Sequence, residues 1–328
     1  MMFKEIKTAV IGVGSMGKNH ARVLNEISNL VAVVDLNEEQ GRKVAEVNNT
    51  AFFNDYREIV DKVDAVCICV PTHYHKEVAL FFSNSNKHIL VEKPLSDNLI
   101  DAVSIKESAV KNNVVLSVGH IERFNPVIRE AKKHILSKDW GKIITLNSTR
   151  VSNYPSRISD VGVLFDLSVH DIDIAVYLAN SPVISVYVAG GSLKSEREEF
   201  VNIIFSHESG VISAFQTNWL TPMKVRSLDI TTDKCFVKMN YNEQKINVFS
   251  SKYDSIDANN LFKSELKISK ETIEVRKKEP LLAELEDFLS AIKNSHEPLV
   301  GGRDGVNVVK LAEASLESLK VKKAIYIQ

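Results

Sequence analysis

The stretch Val10-Ile11-Gly12-Val13-Gly14-Ser15-Met16-Gly17 decides the fold of this chain. It is an apolar run that breaks into G-x-G-x-x-G and continues into helix-forming residues, which reads as a buried strand, a tight turn and a helix. Gly12 permits the turn, Gly14 leaves room for a pyrophosphate to approach the backbone, and Gly17 lets the helix lie close to the sheet. Amides of the first helical turn, around Ser15 and Met16, then face the phosphates. Plain glycine-rich turns share this spacing, so the surrounding chain has to decide the reading.

The surrounding chain alternates strand and helix. A strand over 8–11 and a helix over 15–28 are followed by Leu30-Val31-Ala32-Val33-Val34, a buried parallel strand that ends at Asp35. An acidic side chain at that distance past the glycines accepts hydrogen bonds from the adenosine ribose and repels a 2′-phosphate, so NAD is preferred over NADP. His20 falls on a partly apolar helix face, as a packed histidine bonded to backbone. A helix over 38–47, a short strand at 51–52, a helix over 55–60 and a strand over 64–70 come next, the last ended by Pro71-Thr72 at the ligand-binding edge of the sheet. His73 and His75 open the following helix as exposed or capping residues. The strand over 87–91 runs into Glu92-Lys93-Pro94, and the proline forces Lys93 to be extended, so that it projects from a strand end. A helix over 97–111 and a strand over 114–118 complete a doubly wound α/β sheet, with the first domain spanning 1–122.

Periodicity changes after Pro126. Strand candidates follow at 143–151, 184–188, 201–205, 211–217, 225–231, 235–241 and 246–249, with few helices between them. The second domain, 123–328, is therefore α+β with a large, mostly antiparallel open sheet. Late helical stripes run through Leu281, Leu285, Phe288 and Ile292 and through Val309, Ala312, Leu316 and Leu319; the helix near 304–320 packs back on the first domain. An open sheet has a second face to cover, and self-association into a dimer or tetramer covers it. One helix interrupts the strands at Asp166-Leu167-Ser168-Val169-His170-Asp171-Ile172-Asp173, where Asp166 and His170, four apart, share a face. Histidine titrates near neutrality and suits the removal of a hydroxyl proton, and a neighbouring carboxylate holds its tautomer or binds the hydroxyl. Asp171 and Asp173 are explained by the helix dipole alone.

Composition narrows the class further. The 328 residues suffice for about two domains, and 41 basic against 42 acidic residues leave no polyanion-binding surface, which argues against nucleic acid as a partner. Three cysteines, two of them inside an apolar run, make neither a disulfide framework nor a metal site. The first residues enter a strand without a signal-peptide core, and no apolar run reaches about 18 residues, so the expected location is cytoplasmic and away from membranes.

The glycine fingerprint, Asp35, Glu92-Lys93-Pro94 and the helix carrying Asp166 and His170 together resemble the glucose-fructose oxidoreductase, inositol dehydrogenase and rhizopine-catabolism (Gfo/Idh/MocA) family. The resemblance implies hydride transfer from a sugar or cyclitol hydroxyl to a nicotinamide, with Lys93, Asp166 and His170 as the catalytic group. Candidates to face the cofactor are Gly12, Gly14, Ser15, Met16, Gly17, Asp35, Pro71, Thr72, His75, Glu92 and Lys93. Blocks at 119–126, 160–166 and 218–226 are similar to the branch that oxidises the C3 hydroxyl of UDP-N-acetylglucosamine. A nucleotide sugar would use Lys93, Arg123, Asn125, Arg157, Asp166 and His170, with Arg150, Lys224 and Arg226 as further cations for its phosphates. Val161 and Ser168 replace glycines of the broader family pattern, which weakens an assignment to hexose or inositol. The alternatives are an inositol or free-sugar dehydrogenase and a non-catalytic NAD sensor.

Overall fold

The computed structural model describes residues 3–154, 161–255 and 265–327. The chain divides into two compact units, Met1–Phe124 with Glu279–Glu313 and Asn125–Lys278 with Ala314–Gln328.

In the first unit, β1 (Phe3–Ile11), α1 (Gly17–Ile27), β2 (Ser28–Val34), α2 (Glu38–Asn48) and β3 (Ala51–Phe53) are followed by β4 (Ala65–Ile68), α3 (His75–Asn84), β5 (His88–Glu92), α4 (Leu99–Lys111) and β6 (Leu116–Gly119). The strands are all parallel in the order β3-β2-β1-β4-β5-β6. Strand order reverses direction between β1 and β4, and ligands of such sheets bind outside the carboxyl ends at that switch. Helix starts follow side-chain chemistry: Asn37 accepts from Gln40 N–H at 3.1 Å and Asn98 from Asp101 N–H at 2.9 Å. The helix expected at 55–60 is a 3₁₀ turn, Tyr56–Lys62, entered through an Asp55 side chain that accepts from Arg57 N–H at 2.9 Å. Only seven residues form this connection, too few for a helix to nucleate well.

The second unit holds α5 (Pro126–Leu136), β7 (Ile143–Val151), α6 (Val169–Ala179), β8 (Val183–Gly191), β9 (Phe200–His207), β10 (Ile212–Asn218), β11 (Val225–Thr232), β12 (Phe236–Asn240), β13 (Lys245–Ser255) and β14 (Glu265–Ile273). With β15 (Ile325–Tyr326) they form a sheet in the order β14-β13-β12-β11-β7-β10-β9-β8-β15. It is antiparallel except where β10 lies parallel to β7. Side chains alternate across it: Leu146, Ser148 and Arg150 of β7 are buried while Asn147 is exposed. On the exposed face Tyr187 pairs with Ile204 and Ile204 with Ala214.

Helix α7 (Pro280–Asn294) and the first part of α8 (Gly302–Val321) fall in the first unit. Leu281, Leu285, Phe288 and Leu289 of α7, expected in the second domain, join Val10, Leu24 and Val33 in a core of the first unit. Their spacing marked a buried face without saying what would bury it. The division falls inside α8, whose Val309 packs in the first unit and whose Ser318 Oγ, in the second, accepts from Val188 N–H at 2.9 Å.

Candidate functional site

The glycine loop behaves as its sequence dictates. Gly12 has φ +82°, and a Cβ there would come within 2.9 Å of the Cys69 carbonyl. A Cβ on Gly17 would lie 1.8 Å from the Gly12 carbonyl, so α1 approaches the turn as closely as backbone allows. Around Gly14 an added Cβ meets nothing within 4 Å, which leaves the open ground a pyrophosphate needs. Ser15 and Met16 are exposed beside it. Asp35, at the end of β2, accepts from Val13 N–H at 2.7 Å on one oxygen and from Asn37 N–H at 2.8 Å on the other. Each carboxylate oxygen keeps lone-pair capacity for a ribose hydroxyl. Gln40, which the sequence did not single out, ties α2 to the same loop by donating to the Val13 carbonyl at 2.6 Å.

Pro71 and Thr72 are exposed or half-exposed past β4. His75 caps the short turn Thr72–Tyr74 through its backbone but is not exposed. It is buried, with Nδ1 2.9 Å from the Pro94 carbonyl and Nε2 3.0 Å from the Val70 carbonyl. Burial pushes the imidazole below its ordinary range against the pull of the two carbonyls, and the ring braces the ends of β4 and β5. Glu92 is buried too, and Gly119 makes room for it, since a Cβ there would lie 2.9 Å from Glu92 Oε2. Lys93 is half-buried between buried Glu92 and buried Pro94, and the Lys93–Pro94 peptide is cis. His20 corrects its reading as a backbone-bonded packing residue: Nε2 sits 2.7 Å from Glu92 Oε1 in the interior. Nothing in the sequence links two residues so far apart. Cys69 Sγ lies within 4.8 Å of both partners, a set that could in principle hold a metal. The nitrogen and oxygen are hydrogen-bonded to each other, however, and burial pushes the thiol well above its ordinary range.

In the second unit, Leu164–Ser168 forms a π-helical turn that runs into α6. Asp166 therefore lies on the π turn and His170 on α6, rather than both on one regular helix. Between Gly162 and Ala175 every residue is buried except Asp166 and His170, which are half-exposed. π turns are enriched where a helix must present a functional group. Asp171, expected to serve the helix dipole, is buried instead and accepts from Ser148 Oγ at 2.7 Å and Arg150 Nε at 2.9 Å. That pair anchors α6 to β7.

The expected substrate cations separate. Arg150 is buried against Asp171, with its guanidinium 5.3 Å from the centre of the Tyr241 ring, so it is a structural tie and not a rim cation. Arg123 is likewise buried, donating to Asp304 at 3.1 Å and to the Leu299 carbonyl at 3.3 Å. Asn125 is buried, caps α5 and donates to the Tyr241 carbonyl at 3.3 Å. The sequence gives the residue types but not their direction, and all three point inward. Lys224 is exposed and Arg226 half-exposed, while Arg157 lies outside the described residues.

Residues 6–120 match the oxidoreductase family with an NAD-binding Rossmann fold, and residues 128–238 match the GFO/IDH/MocA C-terminal domain. The chain belongs to the Gfo/Idh/MocA family. As a Gfo/Idh/MocA protein it is an NAD-dependent dehydrogenase acting on a CH–OH group, and the open ground at Gly14 with Asp35 across the loop fits that cofactor. It is 25% identical over 312 residues to a UDP-N-acetylglucosamine 3-dehydrogenase of Acidithiobacillus ferrooxidans, covering 95% of this chain and 96% of that one. It is 26% identical over 342 residues to a myo-inositol 2-dehydrogenase of Thermotoga maritima, covering 98% and 99%. A solved structure of the A. ferrooxidans enzyme superposes with a TM-score of 0.86 at 24% identity over 96% of this chain and 98% of that one. Levoglucosan dehydrogenase in complex with NADH and levoglucosan superposes at 0.85 with 20% identity, over 98% and 99%. No helix among the described residues is long and apolar enough to cross a membrane.

Proposed function

We propose that this dehydrogenase oxidises the C3 hydroxyl of UDP-N-acetylglucosamine to a 3-keto nucleotide sugar. The observation that carries a sugar or polyol dehydrogenase is the pair Asp166 and His170, half-exposed on a run that is otherwise buried. A carboxylate and an imidazole four residues apart that reach the surface from a run otherwise removed from solvent can meet a ligand together, and the pair suits acid–base work. The finer assignment is supported by similarity along nearly the whole chain to the A. ferrooxidans enzyme.

Bound NAD supplies the hydride acceptor. His170 takes the hydroxyl proton as the base, Asp166 holds the imidazole or the hydroxyl, and Lys93 stabilises negative charge on the reacting oxygen. Lys224, Arg226 and Arg157 are the cations assigned to the diphosphate, arginine offering a planar fork for phosphate oxygens. A cyclitol is the second reading, favoured by 26% identity to the T. maritima enzyme over 98% of this chain.

NADH formation from UDP-N-acetylglucosamine, free N-acetylglucosamine and myo-inositol separates these readings. Binding energy from the remote nucleotide positions the reacting hydroxyl, so kcat/KM should fall by several orders of magnitude when the UDP group is removed. Equal turnover of the free sugar, or turnover of myo-inositol alone, overturns the nucleotide-sugar assignment.

A further inference from the structure

Lys93 stands directly after a carboxylate whose two oxygens do different work. Glu92 Oε2 accepts from the Lys93 backbone N–H at 3.0 Å, while Oε1 faces His20 Nε2 at 2.7 Å. His20 is fully buried on α1 and Glu92 closes β5, so the contact joins the first helix to the strand end that carries Lys93. On the β6 side, Gly119 leaves the carboxylate just the room it occupies.

We propose that His20 is a positioning residue for Lys93: through Glu92 it fixes the Lys93 backbone and thereby the place of the ammonium group. The proposal rests on the reading that Lys93 serves the reaction. Burial alone would raise the carboxyl group of Glu92, but the hydrogen bond and charge of His20, with the Lys93 charge and amide, outweigh it and hold Glu92 below the ordinary carboxylate range. An ionised carboxylate only accepts, so the proton of the 2.7 Å contact lies on His20 Nε2. A buried anion must keep its donors. Without His20, Glu92 has to take up a proton or rotate towards another donor, and either response changes its bond to the Lys93 amide.

The test uses the full chain with NAD and UDP-N-acetylglucosamine, and with myo-inositol alongside. His20→Ala should lower kcat by about 10- to 100-fold, the effect of a misplaced group, with little change in the KM for NAD. His20→Gln, whose amide can donate from nearly the same place, should restore most of it. Hydrogen exchange at the Lys93 amide should be at least about tenfold faster in His20→Ala and near wild type in His20→Gln, while the Val10 amide in β1 stays protected. In a Lys93→Ala background, His20→Ala should cost nothing more, because the two act as one unit. Unchanged Lys93 exchange in His20→Ala overturns the proposal, as does an undiminished further loss in the Lys93→Ala background. Wild-type turnover by Lys93→Ala alone overturns instead the reading on which it rests, and the exchange measurement separates the two failures.

Discussion

Asp35 does more than select a cofactor. Its oxygens hold the Val13 and Asn37 amides, so the carboxylate proposed to meet the ribose also fixes the glycine loop. Asp35→Ala should therefore weaken NAD through both routes. Charge-assisted bonds are worth about 1.5–3 kcal/mol each, so a tenfold or larger rise in the Kd for NAD is expected, with NADP weakened less because only the loop route applies to it. Calorimetric titration of both dinucleotides checks this, and equal affinity of the wild type for the two would remove the basis of the preference. At the reacting hydroxyl, His170→Ala should reduce kcat by about 10²–10⁴ with NAD affinity nearly unchanged. Near-wild-type turnover would transfer the role of base to Asp166 or Lys93. Lys93 at a strand end and the four-residue spacing of Asp166 and His170 could be read from local pattern, but the π turn that carries Asp166 could not. His20, His75, Arg123 and Arg150 could not be read either. Their partners lie on other elements, and residue type does not tell a buried tie from an exposed contact.

Among elements, α6 is held by a buried ion pair. Its Asp171 is the partner of Arg150, and both side chains are almost wholly removed from solvent. Removing one member of such a pair strands a buried charge and costs about 3–5 kcal/mol. Asp171→Ala should show a loss of that size in urea unfolding and a fall in turnover, because His170 is its neighbour in sequence. Stability within about 0.5 kcal/mol of wild type would mean that the pair contributes nothing net. The strands of the first sheet were readable because parallel strands buried on both faces are continuous apolar runs. β14 was not: Glu265–Ile273 mixes lysine, glutamate and serine with few apolar residues, so period-2 alternation is weak. α5 was missed as well, although Asn125 as cap and Pro126 in its first turn form a readable helix start.

For the molecule as a whole, the pH dependence of stability should follow its buried carboxyl groups, Glu284 first. Glu284 of α7 lies wholly inside the first unit, and neither carboxyl oxygen has a hydrogen-bond partner among the described residues. Burial first, then the charges of Glu92 and Asp287, raise it well above its ordinary value of 4.5. The folded chain therefore keeps a proton that the unfolded chain gives up. The contribution of Glu284 is complete below the ordinary carboxylate range and is lost as pH rises through the folded-state value, by about 1.4 kcal/mol for each unit between the two. Glu92 acts with the opposite sign, its lowered value adding stability above the ordinary range that is lost in acid. Glu284→Gln keeps the shape and cannot ionise. Its Tm should match or trail wild type near pH 5 and overtake it as pH rises towards 9, with Glu92 unchanged in both proteins. Melting curves that stay parallel across that interval would show that Glu284 does not hold its proton in the folded state.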